Sequence, residues 1–375
     1  MPGTGLRAHR APCGGTRPAV VVASAALLAS LACGRGVADD RAPAADPEIV
    51  VLEGAPEDIG RDHGRRLGER IRLLEERYLG ALLGGDLGRA VAVQAAAGFR
   101  ERLRPRHRAE LDAMAEAAGL DAARALLANS FLDLLPSVGC STVALPAAAA
   151  PDGVARFGRN LDFPALGVAD GQSLVVVVKP AGRHAFAAVT WPGLVGVLSG
   201  INEHGLALAN MEVSRPPRVP AAMPYALLYR TVLEECRTVD EALALLDREP
   251  RQTANNLMLM DASGARALVE ITPEATVVRK AGDDEPLVAT NHHRSGRDEP
   301  ARCRRYDGIT ADAARHWGTL DLDAVRRILD RAGQGDLTLQ SMVIEPRNLV
   351  LHLAVGKEAT TREYRRIDLG AWLRK

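Results

Sequence analysis

The chain has no excess of charge of either sign: 47 Lys+Arg stand against 47 Asp+Glu in 375 residues. A balanced surface offers no strong field for nucleic acid or an acidic membrane face, and neither is expected as a partner. Aromatic residues are scarce and alanine abundant, a compositional bias without functional meaning. There is no internal repeat, and no low-complexity stretch beyond Ala147–Ala150. No Lys-Ser/Thr follows the glycines of residues 193–205, which excludes a phosphate loop. His292 and His293 are adjacent, so they cannot share a helix face as a His-x-x-x-His zinc pair does. No metal or organic cofactor is expected.

Cysteine is also sparse, and its distribution is informative. The apolar run Ala19 to Ala32, preceded by Arg7, Arg10 and Arg17, is 14 residues long. That is short for a membrane span and suits the core of a signal peptide, predicted over residues 1–33. Leu28-Ala29-Ser30-Leu31-Ala32-Cys33 also resembles a lipoprotein box, so two readings stay open: lipid attachment to a membrane through Cys33, or loss of Cys33 with the signal. Either way an exported protein is expected, periplasmic or extracellular. Cys140, Cys236 and Cys303 remain after removal of this segment, an odd number that argues against a full disulfide framework and flags a free thiol.

Residues 34–46, rich in Gly, Ala, Asp and Pro, read as a linker. A short strand over Glu48–Leu52 is followed by helices predicted at about 57–79, 90–118 and 121–135. In the first, Ile59, Leu67, Ile71, Leu74 and Tyr78 form one apolar face. Pro136 ends the helical pattern. Strand-like runs follow at Thr142–Leu145, Val154–Gly158, Leu174–Lys179, Ala185–Thr190 and Leu206–Val213. A helix over Tyr225–Arg237 leads to another opened by Thr238 with Glu241 three residues on, the spacing of a capping box. Further strands are expected at Leu257–Asp261, Ala267–Ile271, Thr276–Arg279 and Leu287–Thr290. Helices at about 301–316 and 322–332 precede a final pair, Met342–Glu345 and Leu349–Val355. This order is α+β, best satisfied by stacked antiparallel sheets covered by helices.

Two short motifs stand out: Gly139-Cys140-Ser141-Thr142 and Gly158-Arg159-Asn160-Leu161-Asp162-Phe163. If the turn Pro151-Asp152-Gly153 closes a hairpin centred near 151, facing positions sum to about 302, which sets Cys140 opposite Asp162 with Arg159 nearby. Cys236, inside an apolar helix, reads as a small buried side chain. Cys303, among arginines, reads as a partly exposed structural residue. His63 and His107 sit on amphipathic helices and read as structural. Cys140 differs because Arg159 can favour its thiolate by charge and hydrogen bonding. No histidine lies near it in sequence, and His184, His204, His292 and His293 reach it only through folding. Another base becomes available if the Gly139–Cys140 bond is cut. The new α-amine, with an ordinary pKa of about 7.7–8.0, would sit beside its own thiol, and Asp162 could hold it in place.

Together with Ala289-Thr290-Asn291-His292-His293, these motifs resemble the N-terminal-nucleophile cysteine hydrolases. Within that superfamily, which includes choloylglycine hydrolase, penicillin V acylase and acid ceramidase, the long helical segment before Cys140 is most similar to the acyl-coenzyme A:6-aminopenicillanic acid acyltransferase branch, peptidase C45. The resemblance runs over roughly residues 48 to 367. It implies a four-layered αββα fold and self-cleavage at Gly139–Cys140. The helical pro-segment, residues 47–139, would then be a small chain held by a catalytic large chain of residues 140–375. Cys140 would attack its own preceding peptide and then a linear amide or acyl substrate. Arg159 would support the thiolate, Asp162 would orient the amine, and Asn291 would donate to the oxyanion.

The sequence departs from the family pattern at two places. In Asn202-Glu203-His204-Gly205-Leu206, counting from Gly205 sets Glu212 where choloylglycine-type members carry an oxyanion-binding asparagine. An ionised carboxylate cannot donate there. Asn210, two residues earlier on the same strand face, is the candidate to replace it. Ala301 stands where the penicillin-type acyltransferases carry a serine, and the late arginine of the family is assigned to Arg305. The reading is an exported, self-processing cysteine amidohydrolase or acyltransferase. Its rivals are a papain-like thiol hydrolase with His184 or His292 as base, and a non-catalytic lipoprotein or binding module that keeps the fold.

Overall fold

The structure, a computed structural model, describes residues 47–135, 139–213, 221–295 and 302–374. The expected signal peptide, the linker, Cys33 and Ala301 lie outside these residues. No helix among the described residues is long and apolar enough to cross a membrane.

Fourteen strands among the described residues build two sheets. The larger has the order β1-β4-β5-β6-β7-β8-β9-β10, from β1 (Ile49–Gly54), β4 (Leu174–Pro180), β5 (Phe186–Thr190), β6 (Ser199–Asn202), β7 (Ala207–Glu212), β8 (Asn255–Met260), β9 (Arg266–Ile271) and β10 (Thr276–Lys280). The smaller runs β11-β2-β3-β12-β13-β14, from β2 (Gly139–Leu145), β3 (Arg156–Asp162), β11 (Leu287–Ala289), β12 (Thr338–Glu345), β13 (Val350–Val355) and β14 (Arg365–Asp368). All neighbours are antiparallel except β1, which pairs in parallel with β4, Ile49 beside Val175 and Gly54 beside Pro180. The sheets stack with β2 against β7 and β8. Helices Arg304–Arg315 and Leu322–Ala332 cover the outer face of the smaller sheet, where Val143, Val288 and Val343 meet Ile309, Val325 and Leu329. Helices Tyr225–Glu235 and Val239–Arg248 pack on β6 and β9 of the larger sheet. The expected α+β architecture with stacked sheets is therefore present. β2 and β3 are buried along their whole length because each has a layer on both faces.

Several boundaries differ from the sequence expectation for identifiable reasons. The first helix runs Pro56–Leu73 and continues through a wider turn, Leu74–Leu79, to Leu82. The helix expected over 90–118 is two, Asp86–Ala97 and Pro105–Ala118, because Pro105 lacks an N–H and starts a helix rather than continuing one. The third also divides, into Ala122–Ala128 and Phe131–Leu134, where the Asn129 and Ser130 side chains bond back to the carbonyls of Ala125 and Leu126. Strands β6 and β14 and the short helix Gly370–Leu373 were not anticipated. The capping residue Thr238 accepts the Glu241 N–H at 3.2 Å as expected, while the Glu241 carboxylate reaches back to the N–H of Arg237.

The segment before Cys140 is tied firmly to the rest. Gly60, Gly64 and Gly68 form a ridge at four-residue spacing, and a Cβ at either of the first two would collide with the backbone of helix Pro105–Ala118. Glu110 of that helix receives both Nη atoms of buried Arg230, at 2.7 and 2.6 Å.

Candidate active site

The β2–β3 register is Gly139 opposite Asp162, Cys140 opposite Leu161, Ser141 opposite Asn160 and Thr142 opposite Arg159. Facing positions thus sum to 301 (139 + 162), one less than expected. The connection is not a symmetric turn at Pro151. It takes a 3-10 turn at Ala147–Ala149 and then closes with Gly153 N–H on the Ala150 carbonyl, Gly153 having φ +66°. A one-residue slip moves side chains to the other face of a sheet. The correction therefore separates two groups expected together. Arg159 and Leu161 share the face of the Cys140 thiol, whereas Asp162 lies across from Gly139 on the opposite face.

Each group has a distinct setting. The Arg159 guanidinium, 1 % exposed, stands beside the Cys140 thiol, and its Nε donates to Ser199 Oγ at 2.7 Å. Burial dominates the thiol and pushes its pKa above the ordinary value. The charge and hydrogen bond of Arg159 and the backbone N–H of Asp162 act the other way, while the Asp162 charge adds to the rise. The Asp162 carboxylate is fully buried and accepts from Thr338 Oγ1 at 2.6 Å and Gln334 Nε2 at 2.5 Å, with Arg305 Nη1 at 3.6 Å.

Asn291 and Arg305 hold the backbone of Cys140. The Cys140 N–H donates to Asn291 Oδ1 at 2.7 Å, and Arg305 donates to the Cys140 carbonyl through Nη1 and to Asn291 Oδ1 through Nη2, the latter at 3.0 Å. Both partners of the Asn291 oxygen can only donate, which fixes the amide orientation. Its Nδ2 accordingly donates to the Glu212 carbonyl at 2.8 Å. Arg305 thus touches Cys140, Asn291 and Asp162 at once. Asn210 sits on β7, its N–H on the Leu198 carbonyl at 2.9 Å and its buried Oδ1 without a hydrogen-bond partner.

The other sequence candidates fall elsewhere. His184 Nδ1 and His204 Nε2 pair with each other at 3.1 Å. His292 Nδ1 lies 3.4 Å from Thr290 Oγ1, and His293 Nε2 lies 3.1 Å from the Asn255 carbonyl. Among the described residues, no hydrogen bond or ion pair joins a histidine ring to Cys140. His63 and His107 are buried, and burial lowers both to a pKa of about 4. Cys236 is buried as expected. Cys303 is buried too, not partly exposed, because it precedes the helix Arg304–Arg315 and turns its sulfur toward Thr290 Oγ1.

Sequence reasoning missed several neighbours. Gln334, Thr338 and Ser199, the partners of Asp162 and Arg159, belong to no motif and are joined to them only by the fold. Asp133 did carry a signal, as a single acid inside the apolar run Phe131-Leu132-Asp133-Leu134-Leu135. It is 6 % exposed, burial raises its pKa to about 7, and it accepts from Gln252 Nε2 at 3.0 Å and the Tyr225 N–H at 3.3 Å. Tyr225, whose pKa burial raises, lies within electrostatic reach of Glu212, Asp133 and Cys140. Beside Leu161 and Leu198 opens an apolar cavity of about 70 Å³, lined on one side by Phe163 and Trp191 and on the other by Ile71, Tyr78, Met114 and Leu132. More than half of that wall therefore comes from the segment before Cys140.

The thiol thus lies on an inner strand of two stacked sheets, with an arginine and an aspartate on the partner strand. Residues 149–316 match the model of one family, described as acyl-coenzyme A:6-aminopenicillanic acid acyl-transferase, the branch that the helical segment before Cys140 resembled. The matched segment contains Arg159, Asp162, Asn210, Asn291 and Arg305, and begins nine residues after Cys140 (149 − 140). No curated protein matches the sequence. Among solved structures, the chain is similar to a Caenorhabditis elegans N-acylethanolamine-hydrolyzing acid amidase ortholog at 19 % identity and TM-score 0.45, over 56 % of this chain and 93 % of that one. It is also similar to the conjugated bile acid hydrolase of Clostridium perfringens at 16 % identity and TM-score 0.44, over 62 % and 93 %. Penicillin V acylase of Agrobacterium tumefaciens gives 17 % identity and TM-score 0.44, over 61 % and 86 %.

Proposed function

We propose that this protein is a self-processing cysteine amidohydrolase or acyltransferase that cuts its own Gly139–Cys140 bond and then cleaves a linear amide through Cys140. The observation that carries this reading is the grip on the Cys140 main chain: its N–H on Asn291, its carbonyl on Arg305, and its thiol beside Arg159. A structural cysteine has no need of charged and amide partners on its own peptide groups.

In the first step Cys140 Sγ adds to the Gly139 carbonyl carbon and the C–N bond breaks, the nitrogen taking the thiol proton. Water then hydrolyses the thioester, leaving a carboxylate on Gly139 and a free amine on Cys140. That nitrogen is already held by Asn291 Oδ1, and Asp162 stands across from Gly139 on the adjacent strand. In each later turnover the amine takes the thiol proton, the thiolate attacks the substrate carbonyl, and the proton passes to the leaving amine. Water or a second amine resolves the thioester. For Asn291 Nδ2 to serve the oxyanion, its bond to the Glu212 carbonyl must be released. Asn210 is the second donor proposed for this role.

The large chain would hold 236 residues (375 − 139). The small chain stays bound because it supplies β1, more than half of the apolar cavity wall and the Glu110 partner of Arg230. The cavity beside Leu161 suits an apolar acyl group. Export through residues 1–33, with or without a lipid on Cys33, belongs to the same proposal.

Intact-mass analysis of protein from a native-like host should show two chains, the larger beginning at Cys140, and Cys140→Ala should leave one. A cut that persists in Cys140→Ala would mean that an outside protease makes it. A single active chain would favour the papain-like rival, and a single inert chain the binding module. A panel of acyl-amides, including penicillins, bile-salt conjugates, N-acyl homoserine lactones and N-acylethanolamines, would then define the substrate.

A further inference from the structure

Away from Cys140, three side chains converge on one point at the surface. His184 Nδ1 and His204 Nε2 lie 3.1 Å apart, Glu203 Oε1 is 3.3 Å from the first and 3.7 Å from the second, and the rings stand edge to face. All three side chains are part-exposed, at 20 %, 30 % and 33 % for His184, Glu203 and His204. We propose that His184, Glu203 and His204 form a binding site for a divalent transition-metal ion of the Zn²⁺ type, with water as the fourth ligand.

The distances carry the argument. Bonds of about 2.0–2.2 Å from zinc to imidazole nitrogen and carboxylate oxygen, arranged tetrahedrally, set the donor atoms about 3.3–3.5 Å apart. The three edges found here scatter around that value, so an ion can sit over the triangle with little movement of any ligand. Without an ion, two ring nitrogens and a carboxylate oxygen crowd together with at most a shared proton or two between them. Two imidazoles and one carboxylate are also the donor set that suits zinc and its neighbours, rather than calcium or magnesium.

The supporting frame is stiff. Glu203 N–H donates to the Ala185 carbonyl at 2.9 Å, and the Ala185 N–H returns to Glu203 Oε1 at 3.3 Å, orienting the carboxylate. His184 N–H is fixed on the Glu234 carbonyl at 3.1 Å. His204 N–H is held by Asn202 Oδ1 at 3.1 Å, and the buried Asn202 amide also binds the carbonyls of Leu233 and Cys236 and the N–H of Leu206. The ligands thus stand on backbone already pinned in place, at the start of β5 and in the β6–β7 turn. His204 lies in the turn before β7, and Asn210 stands three residues into that strand from Ala207, about 10 Å along it at roughly 3.3 Å per residue. An ion there would clamp the turn rather than take part in chemistry at the thiol.

The test uses the full chain, stripped with a chelator, dialysed and titrated with Co²⁺. One equivalent should bind with the visible absorption of a tetrahedral ion and no thiolate charge-transfer band, and Zn²⁺ should displace it. His184→Ala with His204→Ala should lose that equivalent. Glu203→Asp, which shortens the carboxylate reach but keeps its charge, should weaken binding at least about tenfold. Stripped variants should melt with stripped wild type, which separates ligand loss from misfolding. Absence of a bound equivalent in wild type, equal binding by the double variant, or a band from thiolate alone would overturn the proposal.

Discussion

Gly139 offers a sharp test of how the bond proposed to be cut is held. A Cβ built on it would overlap Gln334 Nε2 and come within 3.2 Å of Asp162 Oδ2. Gly139→Ala must therefore push the Gln334 side chain aside and break its 2.5 Å hydrogen bond to the buried Asp162 carboxylate. A hydrogen bond to a charged group contributes about 1.5–3 kcal/mol. At about 1.36 kcal/mol per factor of ten, self-cleavage should slow on the order of ten- to a hundredfold if Asp162 must be fixed in the transition state. The assay is a time course of intact mass after rapid purification of the uncut chain, with circular dichroism confirming that the variant folds. Gln334→Ala removes both the obstacle and the bond. It should slow cleavage by a similar factor, and adding Gly139→Ala to it should cost little more, so the pair should be strongly non-additive. Cleavage of Gly139→Ala at the wild-type rate would refute the reasoning, as would simple additivity.

Further outcomes follow from the same geometry. Arg305→Lys replaces a planar fork by a single ammonium, which cannot serve the Cys140 carbonyl, Asn291 and Asp162 together. Self-cleavage and acyl-enzyme formation should each fall on the order of tenfold or more, at about 1.5–3 kcal/mol per lost charged hydrogen bond, with circular dichroism confirming that the variant folds; unchanged rates would remove Arg305 from the site. Asp133, held protonated by burial up to about pH 7, favours a proton more in the folded than in the unfolded chain. Its contribution to stability therefore falls as pH rises from about 4 and levels off above about 7, by up to about 4 kcal/mol. Asp133→Asn keeps the oxygen that accepts from Gln252 and Tyr225, so urea unfolding in an uncut Cys140→Ala background should show it more stable than the parent at pH 8 and equal to it near pH 4. Parallel pH profiles would contradict this.

What could be read from the chain was whatever local chemistry encodes. Apolar spacing marks the face of helix Pro56–Leu73, the hydroxyl of Thr238 marks a helix start, and three short motifs mark Cys140, Arg159, Asp162 and Asn291. The arrangement of those groups was less legible. Turn residues located the hairpin but not its register, because the 3-10 turn at Ala147–Ala149 shifts the centre by half a residue, enough to move Asp162 to the other face. Gln334 and Thr338 reach Asp162 from about 170 residues further along the chain, and no local pattern announces such a partner. Strand β6, four residues with Gly200 at its centre, is too short and too weakly apolar to stand out against the loops around it.

The parallel pairing of β1 with β4 has a consequence for what the proposed cut would make permanent. In the intact chain this edge strand is delivered by a covalent tether, and its docking is a first-order event. After cleavage at Gly139 the same strand belongs to a separate molecule. Unfolding would then release two species whose reunion depends on concentration and competes with aggregation. The mature enzyme would be a product of its folding history: assembled once as a single chain, held by the barrier to coming apart, and hard to rebuild from its pieces. Its lifetime would be governed by the rate at which the small chain escapes, a quantity readable from isotope exchange between labelled and unlabelled small chains.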